Sequence, residues 1–184
     1  MTENLEKKKK VYRMTLVALV TAVTCILAPL SLPIGPVPIT LTNLVIYFSL
    51  YLLGWKFGTI SFCVYLLLGA VGLPVFSGFA GGIAKLVGPT GGYLIGFIPM
   101  AILDGLVIEK TNKRWIHFVA LVVGTAICYA LGTAWFCVVM DSTVASALAM
   151  CVFPFIPGDL IKILIAVLGG PAICKRLQKA GLLA

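Results

Sequence analysis

In PFIPGDLIKILIAVLGGP, residues 154–171, an acid and a base stand three positions apart inside an otherwise apolar run: Asp159 and Lys162. Positions i and i+3 share one face of a helix. Pro157 suits a first helical turn, where its missing N–H takes no hydrogen bond away. Both side chains therefore project from the start of a helix, where unpaired N–H groups and partial positive charge collect. Lys162 there suits a ligand carboxylate, and Asp159 suits N–H donors or the fixing of the lysine. A purely local ion pair, or two side chains reaching out to the membrane interface, is the competing reading. An ionisable residue inside an apolar segment is costly, and is therefore a candidate functional group by default.

Further polar and small residues punctuate the apolar background. Asn43, beside Thr42 in TLTNL, carries a donor and an acceptor together, which is what reading an amide or a urea requires. Its alternative role is a helix cap or a hydrogen-bonded link between helices. Tyr93 directly follows GPTGG and suits either a wall for a ring or an interfacial anchor. Lys85 is the single charge of a long Gly-rich segment. Ala18 and Ala22 lie one turn apart, a spacing that lets another helix approach closely. Gly54 with Gly58, and Gly92 with Gly96, repeat it. Asp104, Glu109 and Asp141 fall near the ends of apolar segments and are read as interfacial.

What these residues lack excludes several chemistries. The six cysteines include no CxxC pair and His117 is the single histidine, so no metal site and no cofactor are expected. GPTGG is not the GxxxxGK[ST] phosphate loop, so the chain is not expected to hydrolyse ATP. An intramembrane hydrolase would need paired acids or a Ser/His arrangement at mid-depth, and no enzyme is expected. The net charge of +8 is not spread over an aromatic-interleaved surface, which argues against nucleic acid.

The elements that must position these groups follow from composition. Of 184 residues, 61% are hydrophobic and 11% charged, and mean hydropathy is +1.12. A soluble core of this size cannot hide so much apolar sequence, so much of it must face lipid. The expected fold is an all-α integral membrane protein with six transmembrane helices. They run over Tyr12 to Leu30, Leu41 to Trp55, Phe57 to Val71, Gly91 to Ile108, Trp115 to Met140 and Pro157 to Cys174. STVASALAMCVF adds a short re-entrant or interfacial helix. With both termini inside, twelve of the fourteen Lys and Arg fall on the cytoplasmic side, leaving Lys85 and Lys162 toward the outside. That distribution obeys the positive-inside rule.

Three parts are expected along the chain: residues 1–11 as a basic cytoplasmic segment, 12–176 as the transmembrane substrate-binding domain, and 177–184 as a cytoplasmic tail. The two outer connections, PLSLPIGPVPITLTN and GLPVFSGFAGGIAKLVGPTGGY, are long, apolar and rich in Pro and Gly. Irregular backbone of this kind is tolerated near the membrane where it packs on protein or lines a cavity. These segments are therefore expected to fold over the outer mouth, with Gly91 and Gly92 among the glycines that allow close backbone approach.

GPVPITLTNL, LLLGAVGLPVFSGFAGG, LVGPTGGYLIGF and FPFIPGDLIKILIA, in this order, resemble the biotin-specific substrate-binding subunits, the BioY family, of energy-coupling factor transporters. The resemblance runs from Tyr12 to about Pro171. It implies a six-helix S-component bundle that captures biotin from outside, in a pocket under the two long loops. It implies that Ala18 and Ala22 dock a transmembrane coupling subunit, the T component, joined to two ATP-binding cassette ATPases. It also maps the family's acid and lysine onto Asp159 and Lys162. Biotin offers a urea, a sulfur ring and a carboxylate tail. Asn43 and Asp159 suit the first, Lys162 or Lys85 the last, and Tyr93 and Phe79 the walls, with Gly91 and Gly92 beside them. The location implied is a prokaryotic plasma membrane. A self-sufficient secondary transporter for a small carboxylate vitamin is the alternative, and the lack of a visible inverted repeat argues against it.

Overall fold

The computed structural model describes residues 2–32 and 37–180, and the side chains from residue 10 onward within that range. Residues 33–36 of the first long loop and 181–184 of the tail lie outside the described residues. Seven helices are described: α1 (Thr2–Leu27), α2 (Thr42–Ala70), α3 (Ile83–Val87), α4 (Gly91–Lys110), α5 (Arg114–Met140), α6 (Val144–Cys151) and α7 (Ile156–Lys179). Two short strands, β1 (Ser31–Leu32) and β2 (Ile39–Thr40), pair antiparallel in the first long loop. Five of the helices, α1, α2, α4, α5 and α7, are long and apolar enough to cross a membrane. The molecule is a multi-pass, almost wholly helical membrane protein.

The second helix contains the two segments read as spans two and three. Gly54 breaks it, with φ +76° and ψ 176°, a conformation that only glycine adopts without strain. Nine residues of continuous helix would span about 13 Å. Yet a Cβ on Gly58 would lie 3.4 Å from the carbonyl oxygen of Ser49 and 2.9 Å from the Leu50 side chain. The chain therefore folds back at Gly54 into two arms, residues 42–53 and 55–70. Glu109, at the end of α4, accepts a hydrogen bond from the Trp55 backbone N–H at 2.9 Å and fastens the turn. Arg13 lies 5.6 Å from the centre of the Phe57 ring at this same end.

The pattern of burial is that of a protein in lipid. Large apolar residues such as Leu67, Ile161 and Val138 face outward, while many small polar residues face inward and bond between helices. Thr21 of α1 shares a 2.9 Å hydrogen bond with Ser61 of α2. Tyr47 of α2 meets Thr125 of α5 at 2.6 Å. Glycines bring the backbones of α4 and α5 together: Gly92 lies against Trp135 and Gly132, and Gly96 against Cys128, with no room for a Cβ on Gly92. The Gly-x-x-x-Gly spacing of α4 thus serves internal packing.

Asp104 corrects the sequence reading. It was expected at the interface, but it is fully buried, against Gly124 of α5, and neither carboxylate oxygen has a partner among the described residues. Apolar length alone located the end of α4, and the inward facing of this position depends on how α4 packs on α5. His117, near the same end, is also buried, with its ring nitrogens against the Tyr51 hydroxyl at 3.1 Å and the Thr111 carbonyl at 2.7 Å.

Candidate functional site

The site lies at the loop end, where α7 starts. Pro157 occupies its first turn, and the carbonyl of Phe155 accepts from the Asp159 N–H at 2.8 Å. Asp159 thus stands where a negative charge complements the helix dipole. Lys162, one turn on, gains nothing from that dipole and must be held by acceptors. Its ammonium donates to Oδ1 of Asp159 at 2.9 Å, to Oδ1 of Asn43 at 3.1 Å and to the carbonyl of Thr40 at 2.7 Å. An ammonium has three donors, so Lys162 is saturated by protein. The β1–β2 pair holds the Thr40 carbonyl over it.

Asn43 bridges the pair. Its Nδ2 donates to Oδ1 of Asp159 at 2.8 Å, and its Oδ1 also accepts the Leu44 N–H at 3.1 Å. Tyr129 of α5 donates to the other oxygen, Oδ2, of Asp159. Asp159, Lys162 and Asn43 are all buried. A buried ion pair is tolerable when hydrogen bonds satisfy its remaining donors and lone pairs, and four elements converge here to do so.

This cluster forms one wall of a cavity of about 80 Å³. Tyr93, Phe97 and Tyr65 supply aromatic walls, while Val37, Pro38 and Thr40 of the first loop and Ser77 of the second cover it. The two long loops therefore lie over the mouth, as expected. They are tied down: the Gly78 N–H donates to the Pro29 carbonyl at 3.1 Å, and Trp135 Nε1 donates to the Gly88 carbonyl at 3.0 Å. Pockets that enclose a drug-sized ligand hold roughly 300–1,000 Å³, so this cavity is smaller than such a pocket.

The structure brings Asp159, Lys162, Asn43 and Tyr93 together around one space. Gly91 and Gly92 stand behind it: neither lines the cavity, and Gly91 abuts the Leu86 backbone as α4 begins. Phe79, with φ +57°, is exposed and lines a separate open groove with Leu30 and Leu32. Lys85 sits half-buried on the short α3 and is not a lining residue. Sequence reasoning missed Tyr129, Tyr65 and Thr125. Each looks like ordinary interhelical packing in its own segment, and only the crossing of α5 with α7 gives Tyr129 its partner. Ala18 and Ala22 are exposed on the outward face of α1.

Comparison with known proteins gives consistent matches. A family model described as the BioY family matches residues 1–179. The biotin transporter BioY of Thermotoga maritima is 43% identical over 159 residues, covering 86% of this chain and 91% of that protein. The probable biotin transporter BioY of Pyrococcus horikoshii is 38% identical over 169 residues, covering 92% and 98%. Among solved structures, the S-component for biotin from an ECF-type ABC transporter superposes with a TM-score of 0.82 at 35% identity, covering 94% of this chain and 93% of the other.

Proposed function

The chain belongs to the BioY family, and we propose that it is a high-affinity biotin-binding subunit of a vitamin uptake transporter, with no catalytic chemistry of its own. The observation that carries this reading is the buried Asp159–Lys162–Asn43 cluster, which forms the polar wall of an otherwise largely apolar and aromatic cavity at the loop end.

The hydrogen-bond inventory says which end of biotin suits the cluster. Lys162 has its three donors engaged, so it tethers Asp159 and Asn43. Spare capacity resides in the remaining lone pair of Asp159 and in the second N–H of Asn43. A urea matches that demand: one of its N–H groups donates to the remaining lone pair of Asp159 and its carbonyl accepts from Asn43. Tyr93 and Phe97 suit the sulfur-containing bicycle. The loops must part to admit a molecule of this size, and contact of biotin with Lys85 or Phe79 requires that movement.

The working assembly follows from the family. Residues 12–176 form the substrate-binding domain, flanked by the basic segment 1–11 and the tail 177–184. Six crossings, with the two arms of α2 counted separately, put both termini in the cytoplasm of a prokaryotic cell. Ala18 and Ala22 dock the T component, which couples the chain to two ATP-binding cassette ATPases.

Calorimetric titration of the purified chain with biotin tests the reading: saturable binding is expected, and its absence overturns it. Proteoliposomes that contain this chain alone are expected to accumulate no biotin under a proton gradient. Robust accumulation would favour a self-sufficient transporter instead.

A further inference from the structure

A second space, of about 190 Å³, lies between α5 and α7. Its own lining is apolar: Val122, Ala126, Ile156, Leu160 and Ile163. Ala126, Ile156 and Leu160 are exposed on the outer face of the bundle, so this space lies on the side turned toward lipid. Thr125, Tyr129 and Asp159 line both this space and the ligand cavity. They are the wall between the two. Thr125 is held in place, because its hydroxyl bonds to the Leu121 carbonyl and to the Tyr47 hydroxyl, both at 2.6 Å. Tyr129 is the largest of the three, and its hydroxyl is fastened to Oδ2 of Asp159.

We propose that Tyr129 is the partition of the ligand cavity: its ring sets the size limit of the ligand on the α5–α7 side, and its hydroxyl fixes the direction in which Asp159 faces. It is thus a specificity-determining and positioning residue. The inference rests on the biotin reading above. Its physical basis is twofold. The cavity, about 80 Å³, is small beside the space of about 190 Å³ beyond the ring, so removing the ring joins the two and enlarges the cavity toward α5 and α7. The carboxylate of Asp159 also borders a space lined by hydrocarbon, where an unpaired charge is costly. The phenol hydroxyl covers the one carboxylate oxygen that Asn43 and Lys162 leave open.

The two roles separate by substitution. Tyr129→Phe keeps the ring and removes the hydrogen bond. Tyr129→Ala removes both and joins the two spaces, and Tyr129→Leu opens them partly while keeping apolar packing. The probes are biotin and two apolar-extended analogues, one an alkyl ester of the carboxylate and one alkylated on a urea nitrogen. The two analogues together cover either orientation of the ligand. For the analogue extended at the end facing Asp159, Tyr129→Ala is expected to narrow the preference for biotin by at least about tenfold relative to wild type, with Tyr129→Leu intermediate, since selectivity is a difference of affinities. Tyr129→Phe is expected to keep the wild-type preference while weakening all three ligands about tenfold, as loss of a hydrogen bond to a charged group does.

An unchanged preference for both analogues in Tyr129→Ala and Tyr129→Leu overturns the partition. Undiminished biotin affinity in Tyr129→Phe overturns the positioning role. Both outcomes presuppose a wild type that binds biotin. If the wild type does not bind, the proposed function falls and takes this inference with it.

Discussion

The carboxamide nitrogen of Asn43 donates to Oδ1 of Asp159 at 2.8 Å across 116 positions of sequence. The same carboxylate oxygen receives Lys162 at 2.9 Å. Acid, base and amide thus form one unit that joins α2 to α7 at the site. Removing any one member leaves the others incompletely paired.

Asp159→Asn and Lys162→Ala are each expected to weaken biotin at least about tenfold, or about 1.4 kcal/mol. Each exposes the surviving partner to a buried environment without its counter-charge. Because the two residues share one bond, the double variant is expected to lose less than the two single losses combined. Calorimetric titration measures this. Wild-type affinity in both purified single variants would remove the site assignment.

Asn43→Leu is expected to act on the ligand-free protein as well. It deletes the donor to Asp159 and an acceptor of Lys162, and such losses cost about 1–3 kcal/mol each when the orphaned group is buried. The thermal unfolding midpoint in detergent should fall without any biotin present. An unchanged midpoint would mean that the amide does not join the two helices.

Gly92→Ala and Gly158→Ala are a matched pair. A Cβ on Gly92 collides with Trp135 of α5, and overpacking of this kind costs about 1–3 kcal/mol. A Cβ on Gly158 meets nothing within 4 Å, and alanine in a helix gains roughly 0.5–1 kcal/mol over glycine. Thermal unfolding should fall for the first and hold or rise for the second. Equal behaviour would contradict the close approach of α4 and α5.

Ala18→Trp changes an exposed position of α1, so biotin affinity is expected to stay at the wild-type value. Capture of the coupling subunit from a co-expressing membrane is expected to drop at least about tenfold, because a bulky ring prevents the close helix approach that small residues permit. Unchanged capture would move the docking face elsewhere.

Much of this was legible in the chain itself. Hydropathy is additive along the sequence, so the apolar segments stood out, even where the folded chain joins two of them into α2. The burden of placing Asp159 and Lys162 among apolar neighbours marked them as candidate site residues, and i,i+3 geometry already set them on one face. The resemblance of four ordered motifs carried the family.

Other features arose only from tertiary contact. Whether Asn43 caps its own helix or reaches across to α7 is decided by which helices cross, and a lone polar residue carries no record of its partner. Asp104 looked interfacial by position and is buried because α4 turns it onto Gly124. Phe79 and Lys85 share the loop that covers the cavity yet lie outside its lining, since a Gly-rich loop does not fix in sequence which side chains face inward. Tyr129 is the clearest instance. In α5 it is one aromatic among many, and only the contact of α5 with α7 sets its hydroxyl on Asp159. Local pattern determined which residues are costly to bury, and long-range packing decided what relieves them.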